Sequence, residues 1–277
     1  RRDRPVFLWT SFVRPHHPFT PAAPYDTLYA PEAMPLPHRR EGERDSWPEA
    51  YRNKQSRTSG SHEAIGMDRL KDDDWRRIKA FYYGTVSHID KEVGRLLSEL
   101  ETQNVLNDTV IVFTSDHGEM LGDHGLLFKG THYDEVTNVP FLISFPGACP
   151  SGAVREALAN SIDIMPTLLE LCSVDRPDGI QGLSLVPAMT DPEAVTREEL
   201  LIEDHGARRT LRTRTARLTW HGPGAHGELY DLKEDPHCFD NLWDRPEAAL
   251  LQRQLMERLM AQLVSTIDPL PRKIAMC

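Results

Sequence analysis

The run Thr109-Val110-Ile111-Val112-Phe113-Thr114 constrains this chain more than any other stretch, because it is β-branched or aromatic at every position. A half-buried strand alternates apolar and polar residues, whereas an unbroken run suits a strand covered on both faces. Asn107-Asp108 marks a turn just before it, since these side chains can bond nearby backbone and tolerate tight turns. Upstream, Trp75, Ile78, Tyr82, Thr85, Ile89, Val93, Leu96 and Leu100 recur at steps of three and four, the spacing of one helix face. Asp72, Asp73 and Asp74 stand where the helix dipole favours negative charge. A helix feeding such a strand implies an α/β fold with a mostly parallel sheet. In sheets of that kind ligands bind beyond the carboxyl ends of the strands.

Other segments fill in the organisation. Pro140-Phe141-Leu142-Ile143-Ser144-Phe145 reads as a second strand, Pro146-Gly147 as a turn, and Asp163 to Leu171 as a helix with Pro166 in its first turn. Residues 13–70 are rich in Pro, Arg and acidic residues without periodicity, so a long irregular segment is expected there. Past residue 195 come short strand-like runs at 200–203, 208–212, 217–220 and 228–232. An amphipathic helix at 246–264 follows, with Leu250, Leu251, Leu255, Leu259 and Leu263 on one side. The expected division is therefore an α/β body over 1–195 and an antiparallel subdomain over 196–277. Val6-Phe7-Leu8-Trp9 reads as a buried strand close behind Arg1, which leads us to expect an upstream segment carrying any export signal. Nothing else in the sequence points away from the cytoplasm, and no apolar run reaches the length of a membrane span.

Composition narrows the partners. Thirty-two basic against 42 acidic residues give a net charge of −10, which argues against nucleic acid, whose phosphates demand a basic face. Cys149, Cys172, Cys238 and Cys277 are scattered without a CxxC pair, so no thiolate zinc site is expected. Cys172 sits in an apolar helical stretch and reads as buried.

Chemistry-bearing residues cluster directly after the 109–114 strand: Asp116, His117, Asp123, His124, Lys129 and His132. The adjacent pair Asp116-His117 offers one hard oxygen and one imidazole nitrogen, half of a divalent-cation site. Taken alone, an acid and a histidine after a strand are more often plain turn residues; the nearby lysine shifts the balance toward a site. Asp123 and His124 read mainly as loop-shaping residues. Asp204-His205-Gly206 repeats the Asp-His-Gly string without a following lysine and is set aside. His221, His226 and His237 read as solvated turn residues.

The segment FTSDHGEMLGDHGLLFKGTHYDEVTNVPFLISFPG closely resembles the second metal-binding segment of the sulfatase family. RPHHPF at 14–19, NSIDIMPTLLELC at 160–172 and GELYDLKEDP at 227–236 resemble three further family segments in the family's order. Residue by residue, Asp116 and His117 resemble two metal ligands, and Lys129 the lysine that contacts the ester oxygens. His16 resembles the histidine that contacts the ester and assists the leaving group, and His132 is a further candidate for substrate contact. His117, where many sulfatases carry Asn, tilts the resemblance toward the arylsulfatase and phosphonate monoester hydrolase branch.

The resemblance implies an alkaline-phosphatase-like sandwich that hydrolyses sulfate esters, or phosphate or phosphonate monoesters, with one divalent metal ion. Calcium, manganese or magnesium would each suit. It also implies a formylglycine nucleophile made from a C/S-x-P/A-x-R segment. Around Cys149 that pattern fails, because Pro150 comes one place early and Ala153 stands where Arg is required. The nucleophile is therefore expected upstream of this sequence, and the chain by itself is expected to be inactive. Two other readings stay open: a noncatalytic anion-binding protein, and a half-enzyme completed by a partner. The expected partner is a small anionic ester, and a homo-oligomer is left open because the terminal helix suits either core or interface.

Overall fold

A computed structural model of the protein describes residues 4–43, 67–204, 206–224 and 226–267. Along the chain these form α1 (Asp72–Thr102), β1 (Ile111–Thr114), α2 (Asp134–Thr137), β2 (Phe141–Ser144), α3 (Ile164–Leu171) and α4 (Val186–Thr190). The strands β3 (Glu199–Glu203), β4 (Arg209–Thr213), β5 (Ala216–Trp220) and β6 (Gly227–Asp231) come next, then α5 (Ala249–Ser265). Among the described residues no helix is long and apolar enough to cross a membrane.

Two compact units share the chain. One holds the described residues up to 39 together with 67–107 and 121–127. Its axis is α1, which starts where the acidic triplet suggests: Asp74 accepts the backbone N–H of Lys71 at 2.9 Å, and Asp72, Asp73 and Asp74 occupy the first turn. The helix stops at Asn104, whose left-handed backbone (φ 56°) lets the N–H of Val105 reach back to Leu100 O at 3.0 Å. The irregular residues 19–29 are packed along this helix. Tyr25 stacks on His88 with ring centres 4.6 Å apart, and Tyr29 meets Tyr83 edge-on. Gly84 permits the approach, since a Cβ there would come 2.1 Å from Tyr25 O.

Val6-Phe7-Leu8-Trp9 departs from expectation. The four residues form no strand and are 73–80% exposed. An apolar run states that cover is needed, and the described residues do not supply it.

The second unit holds the described residues 40–43, 108–120 and 128–267. β1 and β2 form their own two-stranded sheet, running antiparallel with Ile111 opposite Ser144 and Thr114 opposite Phe141. The expected parallel pairing is thus absent between these strands, and Phe113 and Leu142 keep 39% and 57% of their surface exposed. Cys172, expected inside, is exposed one residue past the end of α3.

β3 to β6 form an antiparallel sheet in sequence order. Strand period sorts its residues onto two faces. On one, Leu211, Leu218 and Leu229 are 0% exposed and join a core with Leu255 and Leu259 of α5; each fully buried leucine contributes about 1.5–3 kcal/mol. Leu250, expected in the same stripe, is 57% exposed. The opposite face is buried yet polar: Thr210, Thr219 and Glu228 lie in one cross-strand row, and Arg212, Arg217 and Tyr230 in the next.

Candidate metal and ester site

Ser115 to Gly118 leave the end of β1 in a tightly bonded turn. Ser115 Oγ donates to His117 O at 2.8 Å, and Asp116 Oδ1 accepts the His117 N–H at 3.0 Å. His117 Nδ1 lies 2.8 Å from Gly118 O. A carbonyl can only accept, so Nδ1 carries a proton, and in the neutral ring Nε2 keeps its lone pair. That lone pair sits 3.7 Å from Asp116 Oδ2. The Asp116 carboxylate is 86% exposed and the His117 ring 30%.

Gly118 holds this turn against α2. Its N–H donates to Val136 O at 2.8 Å, the Glu119 N–H donates to Glu135 O at 3.0 Å, and a Cβ at Gly118 would lie 2.0 Å from Glu135 O. An oxygen and a nitrogen 3.7 Å apart can share one cation at ordinary ligand distances of about 2.0–2.5 Å. Among the described residues no group of three or more His, Cys, Asp or Glu side chains is gathered to hold a metal. Asp116 and His117 therefore fit as two donors of a larger set.

Lys129 follows a second tight stretch of the same unit. Phe128 before it is buried with φ 70°; its carbonyl accepts the Met120 N–H at 3.0 Å and its N–H donates to Glu119 Oε1. The Lys129 side chain is half-buried and has neither an ion pair nor a hydrogen bond among the described residues. Beyond it, the chain is stitched to the polar face of the sheet. Arg208 Nη1 donates to Gly130 O at 2.8 Å, His132 Nδ1 meets Thr210 Oγ1 at 2.9 Å, and Arg212 pairs with Asp134 at 2.9 Å. Arg217 lies over the rings of Tyr133 and Tyr230, 4.3 and 4.9 Å from their centres.

His132 is thus placed inside the protein, 7% exposed. Burial pushes its pKa down to about 3, with the Arg208 charge adding to the effect. Its Nε2 lies 3.8 Å from Asp204 Oδ2. Burial alone would raise the Asp204 carboxyl, but the hydrogen bond and charge of Arg208 hold it below the usual range. Glu228 is likewise buried; His221 at 2.8 Å and the Arg217 charge bring it down to about 2. His221, expected in solvent, is 10% exposed.

The remaining candidates belong to the other unit. Asp123 Oδ1 accepts the His38 N–H at 2.8 Å and lies 3.8 Å from Lys79 Nζ. His124 is 2% exposed with φ 56°, so both shape their loop. His16 is exposed, its Nδ1 2.8 Å from His17 O, its ring stacked on that of His17.

Sequence reasoning missed two things. Asp204, set aside with the second Asp-His-Gly string, anchors Arg208, which bonds the Lys129 segment at Gly130 O, while His205 lies outside the described residues; the signal was the polar alternation Arg208, Thr210, Arg212 in a strand. It also passed over Ser151-Gly152-Ala153-Val154-Arg155, which matches C/S-x-P/A-x-R by its letters. That string lies in an exposed turn and coil, and the Arg155 guanidinium is engaged by Ala188 O and Met189 O at 2.7 and 2.9 Å.

A paired acid and histidine thus stand at a strand end, and a lysine with no pair among the described residues follows in the next loop, on an alkaline-phosphatase-like fold. The chain belongs to the sulfatase family, whose family model matches residues 1–174, and a model of the C-terminal part of N-sulphoglucosamine sulphohydrolase matches residues 122–265. It is 33% identical to an arylsulfatase of Clostridium perfringens over 89% of this chain and 51% of that protein. It is 32% identical to the multifunctional alkaline phosphatase superfamily protein PehA of Trinickia caryophylli over 97% of this chain and 57% of that protein. Among solved structures, a phosphonate monoester hydrolase from Silicibacter pomeroyi superposes with a TM-score of 0.83 at 28% identity, over 93% of this chain and 55% of that one. The chain spans about half the length of the curated relatives it matches.

Proposed function

We propose that this chain is the part of a metal-dependent hydrolase of sulfate esters, or of phosphate or phosphonate monoesters, that supplies two metal ligands and the ester-binding lysine. The observation that carries the reading is the His117 tautomer: with Nδ1–H given to Gly118 O at 2.8 Å, the Nε2 lone pair faces the free side of Asp116, 3.7 Å from Oδ2. Asp116 Oδ2 and His117 Nε2 would hold a divalent cation, whose chemistry at such a site is to polarise the ester and stabilise charge on its oxygens.

The chain's own residues supply the rest of this half. The ammonium of Lys129, unpaired among the described residues, suits the nonbridging oxygens, where charge gathers as the ester breaks. His16 donates Nδ1–H to His17 O at 2.8 Å, which leaves Nε2 as the atom that would pass a proton to the departing oxygen. A formylglycine nucleophile would come from outside this sequence. The relatives favour an aryl sulfate or a phosphonate monoester as substrate.

The direct test uses the full-length protein with a nitrophenyl sulfate and a phenyl phosphonate monoester, with and without divalent metal. Metal-dependent turnover lost in Asp116→Ala supports the reading. Metal-independent turnover, or none with either ester class, overturns it.

A further inference from the structure

Lys129 is fixed from both sides by groups that do not touch it. Before it, Phe128 is held in a left-handed conformation, φ 70°, that a bulky residue rarely adopts and that costs on the order of 1 kcal/mol or more. Glu119 Oε1 and the Met120 N–H hold that residue. After it comes Gly130, whose carbonyl accepts Nη1–H of the Arg208 guanidinium at 2.8 Å.

Arg208 is itself locked. It is 8% exposed and gives Nε and Nη2 to Asp204 Oδ2, the former at 3.0 Å. The other Asp204 oxygen accepts the Gly206 N–H at 2.9 Å. A buried ion pair adds little net stability over an apolar substitute of the same shape, so stability alone does not account for a buried arginine here. A rigid planar fork that points one N–H at one carbonyl does.

We propose that Arg208, oriented by Asp204, is a positioning residue that sets the Lys129 ammonium by fixing the Gly130 carbonyl. His132 belongs to the same brace through Thr210, which assigns it to support of the loop and away from contact with the ester. The proposal rests on Lys129 being the ester-binding lysine, and the test below separates the two ideas.

The experiment is a double-variant cycle in the full-length protein, with Arg208→Lys, Lys129→Ala and both together, assayed on a nitrophenyl sulfate and a phenyl phosphonate monoester. Lysine keeps the charge but lacks the planar fork whose separate nitrogens serve Asp204 and Gly130 O. Arg208→Lys is expected to lower kcat about tenfold to a hundredfold with KM nearly unchanged, and to cost nothing further once Lys129 is absent. An independent loss in the Lys129→Ala background, or no loss in the wild-type background, overturns the proposal. If Lys129→Ala alone leaves kcat intact, it is the lysine's role under the proposed function that falls.

Hydrogen exchange and the acylation rate of Lys129 decide the structural half without any turnover. Arg208→Lys should speed exchange in the peptide covering 128–134 and alter Lys129 acylation, while α5 keeps its protection. Unchanged exchange there would overturn the brace. Should Arg208→Lys fail to fold, Asp204→Asn frees the guanidinium with less disturbance and is read in the same ways.

Discussion

Asp116 and His117 are neighbours in sequence whose Oδ2 and Nε2 stand 3.7 Å apart at the end of β1, the imidazole turned by its bond to Gly118 O. Two such donors on one side of a cation contribute as a unit, so losing one weakens the other. Asp116→Ala is expected to reduce affinity for manganese or calcium at least about a hundredfold, in line with the loss seen when even the supports of metal ligands are removed. Titration calorimetry of the full-length protein checks this. Unchanged affinity would take Asp116 out of the ligand set.

The geometry of that pair depends on a glycine with no room to spare. A Cβ at Gly118 would lie 2.0 Å from Glu135 O, so Gly118→Ala must push α2 away and disturb the Val136 bond. The expected loss is about 1–3 kcal/mol or more, as for other overpacked sites. A Cβ at Gly94 in α1 would meet nothing within 4 Å, and Gly94→Ala should stabilise by about 0.5–1 kcal/mol. Denaturant unfolding of the two variants should give opposite signs; a neutral Gly118→Ala would mean that the turn and α2 are not held together as described.

Lys129→Ala should leave metal affinity in place and lower the rate about a hundredfold to a thousandfold, the usual cost of removing one group that stabilises charge in the transition state. The loss should grow for esters with poorer leaving groups, where more charge must be carried. A series of aryl sulfates measured at saturating substrate checks this. A uniform rise in KM with kcat intact would make Lys129 a binding residue only.

Local patterns made α1, the four strands β3 to β6 and α5 legible, because each has a period that one segment can display by itself. Asp116, His117 and Lys129 were legible as a spaced string after a strand. What could not be read was contact at long range: nothing about His132 announces Thr210, 78 residues on, and nothing about Asp204 announces a carbonyl beside Lys129. The reading of Val6-Trp9 as a buried strand failed for a related reason, since hydrophobicity specifies a need for cover and not its provider. The antiparallel pairing of β1 with β2 was also hidden, because strand direction depends on the path between them.

Arg217 tests whether the polar face of the sheet is held by charge. It is 1% exposed, its guanidinium carbon 4.3 and 4.9 Å from the ring centres of Tyr133 and Tyr230, with Glu228 Oε2 3.6 Å from its Nη2. Arg217→Met should cost about 3–5 kcal/mol, because it removes the buried countercharge of Glu228 and leaves that carboxylate with its His221 bond. Adding Glu228→Gln should restore part of that loss. Additive losses in the double variant, measured by chemical unfolding, would show that the two side chains are not coupled.

His132 makes stability depend on pH in a defined window. Folded His132 stays neutral because burial and Arg208 bring its pKa from 6.5 down to about 3, whereas in the unfolded chain it takes up a proton near the ordinary value. The unfolded state therefore binds more protons between those limits, and stability must fall as pH drops through them. Asp204, Arg208, Arg217 and Glu228 all act on this ring; Glu228, brought from 4.5 down to about 2, adds its own loss only below its unfolded value. Comparing about pH 7 with about pH 5 leaves the Glu228 loss out, and the drop expected from His132 is about 2 kcal/mol; His226, whose pKa burial also lowers, adds a loss of its own that a His132 variant keeps. His132→Gln, which cannot be protonated, should start less stable near neutrality and lose that much less on acidification. Equal losses in the two proteins would mean that His132 is already charged, or already solvated, in the folded state.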